Sequence, residues 1–159
     1  MGVKVIGLEK VLADFRTKED LIIKSVKDRL QITANAIEFE ATVNAPTSYQ
    51  IGDASINLSF ISQKINKRGS NNGLSWNVGL DVPTSGEQWE AWMEFGTGLS
   101  ARDILSNPEY SAEVRQLARR FYRNGKGRII GDPYFYPAVF RNTANLVTDM
   151  VDEINKALK

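Results

Sequence analysis

The chain has 159 residues, with 20 Lys and Arg against 19 Asp and Glu and a formal net charge of +1. It contains no cysteine and no histidine, which excludes disulfides, a Cys/His zinc site, Ser-His-Asp or Cys-His catalysis and a histidine pH switch. A charge balance this near zero argues against a polyanion-binding surface over the whole molecule and leaves a local patch as the only basic feature to look for.

The first 45 residues read as helical. Leu8, Val11, Leu12 and Phe15 recur at spacings of three and four. Thr17 with Asp20 has the spacing of a capping box and marks a helix start. From there Ile22, Val26, Leu30, Ala34, Ile37 and Ala41 keep one apolar face to about Val43, and Pro46 marks the stop. The period then changes to two. Ile56, Leu58 and Phe60, followed by Ser62 and Lys64, alternate with polar neighbours and predict a strand. Lys67 to Gly73 is a turn cluster, and Leu74, Trp76, Val78 and Leu80 form the returning strand of a hairpin.

Residues Glu87 to Gly98 read EQWEAWMEFGTG. Trp89, Ala91, Met93 and Phe95 share a face if this is a strand, and Trp89, Trp92 and Met93 share one if it is a helix. The pattern leaves both open. Leu99 to Gly131 looks like an insert, with a helix possible over Pro108 to Tyr122 and a break at Asn124, Gly125 and Gly127. Asp132 to Ala138 is an aromatic turn between two prolines. Phe140, Ala144, Val147, Val151, Ile154 and Leu158 then make a heptad-like stripe along a final helix of about 30 Å. Its partner is the N-terminal helix, the sheet or another subunit.

These elements predict a single α+β domain over residues 1–159. A small antiparallel sheet around a hairpin at about 54–80 is covered by long N-terminal and C-terminal helices, and residues 99–131 project as an arm. No apolar run approaches the roughly 20 residues of a membrane span. Met1 to Lys10 carries charges and no hydrophobic signal region. The expectation is a soluble protein kept in a reducing cytoplasm, with no membrane partner.

Few residues invite chemistry. The glycines at 69–73 and 125–127 lack the Gly-Lys-Ser/Thr of a phosphate loop, and Gly96 with Gly98 lacks the third glycine of a dinucleotide fingerprint. Glu87, Glu90 and Glu94 are spaced for one helix face, and Glu38 with Glu40 is a second acidic pair. Both read as solvated acidic surface rather than the paired acids of a glycosidase. Asp149, Asp152 and Glu153 read as the solvated side of the last helix. No cofactor or metal is expected. The one charge anomaly is basic: Arg115, Arg119, Arg120, Arg123, Lys126 and Arg128, with Phe121 and Tyr122 among them and no acid between. Such a cluster contacts nucleic acid, or it pairs with an acidic neighbour.

Two short blocks carry a resemblance. Trp92 to Gly98 reads WMEFGTG and Pro133 to Ala138 reads PYFYPA, ahead of a long terminal helix. In that order they resemble a family of tailed-bacteriophage neck proteins, variously called tail-component, tail-completion or head–tail joining proteins. Glu94, Phe95, Gly96, Thr97 and Gly98 match the first motif. Pro133, Phe135, Pro137 and Ala138 match the second, and Ala45-Pro46-Thr47 stands at the family's entry to its first strand. The resemblance implies a non-enzymatic virion component, assembled in the host cytoplasm as a ring of six or twelve copies at the head–tail junction or tail end. Its neighbours would be head-completion, tail-terminator or tail-tube proteins, with packaged DNA a possible contact. The insert holding the basic cluster has no counterpart in the motif pattern. The alternative is a nucleic-acid-binding protein using residues 115–128.

Overall fold

The computed structural model describes residues 8–97, 105, 106, 108, 110–119 and 129–158. The fold is α+β. Helix α1 (Leu8–Asn44) is followed by strands β1 (Ser48–Ile51), β2 (Ala54–Asn57), β3 (Ile65–Ser70) and β4 (Ser75–Leu80), then by helices α2 (Trp89–Phe95), α3 (Ala112–Arg119), α4 (Phe135–Thr143) and α5 (Leu146–Ala157).

Helix α1 runs unbroken for 37 residues, about 55 Å. Thr17, expected to cap a second helix, lies inside it. Neither glycine nor proline interrupts the chain from Leu8 to Asn44, and one interior threonine costs only tenths of a kcal/mol. The face carrying Ala34, Ile37 and Ala41 is buried. Its small residues let α4, α5, β3 and β4 pack closely against it.

The expected single sheet is instead two separate two-stranded sheets. β1 pairs antiparallel with β2, and β3 with β4. The alternating run from Ile56 to Lys64 is not one strand. Asn57 Oδ1 accepts hydrogen bonds from Ser59 N (2.9 Å) and Ser59 Oγ (2.7 Å), a local turn that competes with the ladder. A 3-10 turn over Ile61–Lys64 follows, burying Ile61 and Leu58. β3 then takes up Lys67 to Ser70, which had been expected in the turn. The reversal is confined to Asn71–Gly73, where Asn72 (φ 53°) and Gly73 (φ 86°) adopt the left-handed backbone that these two residues tolerate best.

Of the segment left open between strand and helix, Trp89–Phe95 forms a helix, α2. The C-terminal stripe, expected to be continuous, is divided. The chain enters α4 at Phe135 and breaks at Ala144 and Asn145 before α5. Asn142 Nδ2 donates to the Ala138 carbonyl (2.8 Å) and Thr143 Oγ1 to the Val139 carbonyl (2.8 Å). Such back-bonding on consecutive residues bends and ends a helix. Among the described residues the insert does not project. Ala118 of α3 is fully buried with Ala91 and Phe95, and the Tyr110 ring meets Phe140 edge-on at 5.6 Å. The main core joins Ala41, Leu58, Ile61, Ile65, Met93, Tyr134, Phe135 and Ala138, so α1, the segment linking the two sheets, β3, α2 and α4 share it.

Candidate functional site

The two motif blocks meet. Glu94 is fully buried, and its carboxyl group receives three backbone N–H groups from the start of α4. Tyr134 N (2.9 Å) and Phe135 N (2.8 Å) donate to Oε2, and Tyr136 N (2.9 Å) donates to Oε1. The first turn of any α-helix leaves its leading N–H groups without an intrahelical acceptor. Here the next residue is Pro137, which has no N–H to satisfy. Glu94 and Pro137 together therefore account for the whole first turn of α4, whose N-cap residue Tyr134 has no side-chain capping bond of its own.

The flanking backbone closes the same junction. Asp132 N donates to the Met93 carbonyl (2.7 Å), and Thr97 N to the Ile129 carbonyl (2.9 Å). Thr97 Oγ1 in turn accepts from Ile129 N (3.1 Å). Gly96 ends α2 at φ 67°, ψ −175°, a conformation nearly reserved for glycine. Gly131 lies directly against it: a Cβ there would sit 2.6 Å from Gly96 N. Below, the Tyr134 hydroxyl donates to the Glu90 carbonyl (3.2 Å). Phe95 packs on Tyr136 with ring centroids 5.6 Å apart, and Phe135 and Ala138 are buried. Pro133 is exposed and Pro137 half-buried.

Burial pushes the Glu94 carboxyl above its ordinary value of 4.5, against the pull of the N–H groups of Phe135, Tyr136 and Tyr134, while the nearby Asp132 charge pushes in the same direction as burial. Burial likewise raises Tyr134 and Tyr136, with the Glu94 charge adding to both.

This geometry corrects the reading of Glu87, Glu90 and Glu94 as a solvated acidic face. Only Glu87 is exposed, and it accepts from Trp89 Nε1 (2.8 Å). Glu90 is buried, and its Oε2 has no hydrogen-bond partner among the described residues. With both oxygens held by backbone and none of its surface exposed, Glu94 offers no face to a substrate. Glu38 and Glu40 are also tied down, to Lys67 and to Arg141, respectively, and Asp149 pairs with Arg29 rather than standing free in solvent.

Beside the clasp, a cavity of about 690 Å³ opens between β4, the following loop, α2 and α4, lined by Val78, Leu80, Val82, Phe95, Tyr136 and Val139 among others. Of the basic cluster, Arg115 and Arg119 lie one turn apart on α3, half-buried and exposed, respectively. Arg120, Arg123, Lys126 and Arg128, like Gly98 of the first motif, lie outside the described residues. Among the described residues no group of three or more acidic, histidine or cysteine side chains is placed to hold a metal ion, and no helix is long and apolar enough to cross a membrane.

Sequence reasoning missed Gly131, Tyr134 and Met93. The available signal was a helix start with no Ser, Thr, Asp or Asn to cap it and a proline three residues in, which requires an acceptor from elsewhere in the chain. No family model, no curated protein and no solved structure matches this chain.

Proposed function

We propose that this chain is a structural subunit of a tailed-bacteriophage neck, forming a ring at the head–tail junction or the tail end. The observation that carries the reading is the clasp. The two blocks that resemble the neck-protein motifs are far apart in sequence, yet Glu94 and Phe95 of the first contact the second directly, and Met93, Gly96 and Thr97 fasten the backbone of residues 129–132 that leads into it. The motifs are then one architectural device rather than two coincidences of composition. The role is architectural and not catalytic, in the virion after assembly in the host cytoplasm. In this reading the basic segment 115–128 contacts packaged DNA or an acidic neighbouring ring.

The test is genetic. Deleting the gene from its source phage or prophage, inducing, and viewing the lysate by negative-stain microscopy should give full heads beside separate tails if the protein joins them. Tails of uncontrolled length would assign it to termination instead. Normal infectious particles would end the structural reading. For the basic segment, DNA affinity of the purified protein should fall steeply with salt if it contacts phosphates. No affinity at low salt would assign the cluster to a protein partner.

A further inference from the structure

Helix α1 is apolar on two opposite sides. The side facing the body carries Ala34, Ile37 and Ala41. The other carries Leu21, Ile32, Phe39 and Val43, which fall within about 40° of one another around the helix. All four are exposed, Phe39 at 70% and Val43 at 64%. Scattered apolar residues on a surface need no explanation, but a stripe three turns and more in length does. A helix with apolar residues on both sides belongs between two partners, and the described residues supply only one.

The same chain leaves a second stripe uncovered. On α5, Val147 (73% exposed) and Val151 share one side, and Leu158, the capping residue just past its end, falls within about 40° of them, 40% exposed and edging a cleft with Lys18, Ile22 and Ile23 of its own α1. The two stripes match in spacing. On α1, Ile32, Phe39 and Val43 are separated by seven and then four residues. On α5, Val147, Val151 and Leu158 are separated by four and then seven. Laid antiparallel, Ile32 falls opposite Leu158, Phe39 opposite Val151 and Val43 opposite Val147. Either stripe laid antiparallel on its own copy is out of step by three residues, about 4.5 Å. An antiparallel α1–α5 pair already exists within the molecule, where Lys18 Nζ approaches the Leu158 carbonyl (3.5 Å) and Arg29 pairs with Asp149.

The geometry points to a head-to-tail contact between copies of this chain, with the outer side of α1 in one copy packed antiparallel on the outer side of α5 in the next. Two unlike surfaces on one subunit give a heterologous contact, the kind that closes into rings. Covering Ile32, Phe39 and Val43 with Val147, Val151 and Leu158 removes on the order of 700 Å² of apolar surface, which at the usual apolar share of an interface corresponds to about 1,150 Å² in total, at the lower end of the range of specific contacts. The inference gives the proposed ring its subunit interface and in that sense rests on the functional reading, although the contact itself can be tested in purified protein.

The absence of native cysteine makes site-directed cross-linking clean. Full-length Phe39→Cys mixed with Val151→Cys, and Val43→Cys mixed with Val147→Cys, should form a disulfide-linked heterodimer on mild oxidation, several-fold above either variant alone. Val43→Cys mixed with Leu158→Cys, mismatched by a full register, should not. The double variant Phe39→Cys/Val151→Cys should give species beyond the dimer. Circular dichroism identical to the parent shows that the variants are folded. Cross-linking of matched pairs no greater than that of the mismatched pair overturns the proposal. So does a Phe39→Cys homodimer as abundant as the mixed product, which would make the contact face-to-face. The gene deletion reads the role and the cross-link reads the contact, so each can fail without the other.

Discussion

The clasp and helix α1 are held in opposite ways. At the clasp, a buried carboxyl, three amide donors and two glycines at van der Waals limits leave almost nothing to solvent. Along α1, the inner side is packed but the fastenings are ion pairs at the rim, Glu38 with Lys67, Glu40 with Arg141 and Arg29 with Asp149, and the outer side is bare. The first region is complete within one molecule. The second has an apolar surface that no described residue covers. Stability and association should therefore be separable by mutation, since they reside in different places.

The sharpest break is Glu94→Ala. It strips three buried N–H groups of their acceptor and should cost about 4 kcal/mol, read as a lower urea midpoint. Glu94→Gln keeps one acceptor oxygen and should lose about half as much. Gly131→Ala forces a Cβ against the Gly96 backbone, which cannot yield as a side chain would, and should cost about 2–3 kcal/mol in the same assay. The pH dependence follows from the raised Glu94 value. The folded carboxyl holds its proton more tightly than the unfolded one, so unfolding releases a proton between the two pKa values. Stability from this group is present at low pH, falls as pH rises from 4.5 toward the folded value, and is level above it. Urea titrations across that range should show this slope in the parent and lose it in Glu94→Gln. At the rim, Arg141→Ala should cost under about 1 kcal/mol, and less at high salt, because the arginine is largely exposed. The smallest change belongs to Phe39→Gln. Thermal unfolding of the monomer should move by no more than about 0.5 kcal/mol, while cross-linking through Val43→Cys and Val147→Cys falls sharply.

What could be read from the sequence follows the range of the interactions involved. The inner side of α1 and its stop before Pro46 are local patterns, and both are visible in the residues. The motif blocks were visible too. The role of Glu94 was not. Two acids one turn apart look like surface unless one knows that three orphan amides lie 40 to 42 residues further on. The divided sheet and the divided C-terminal helix were missed for a different reason. Asn57, Asn142 and Thr143 turn the backbone through their own side chains, and a reading of apolar periodicity gives such residues no weight. The bare stripe of α1 escaped because Ile32, Phe39 and Val43 follow the same period as the buried side, rotated by half a turn.

The clasp also governs what may change between its halves. Helix α4 has nine residues, too few to persist alone, and its first turn takes its acceptor from 41 residues upstream. It can form only after the intervening chain has closed into a loop. Closure entropy grows slowly with loop length, so doubling that chain costs roughly 0.6 kcal/mol. Between Thr97 and Ile129 the protein can thus lengthen at little cost wherever Tyr110 keeps its place on Phe140 and Ala118 its place between Ala91 and Phe95, which makes the rest of this stretch its natural point of divergence.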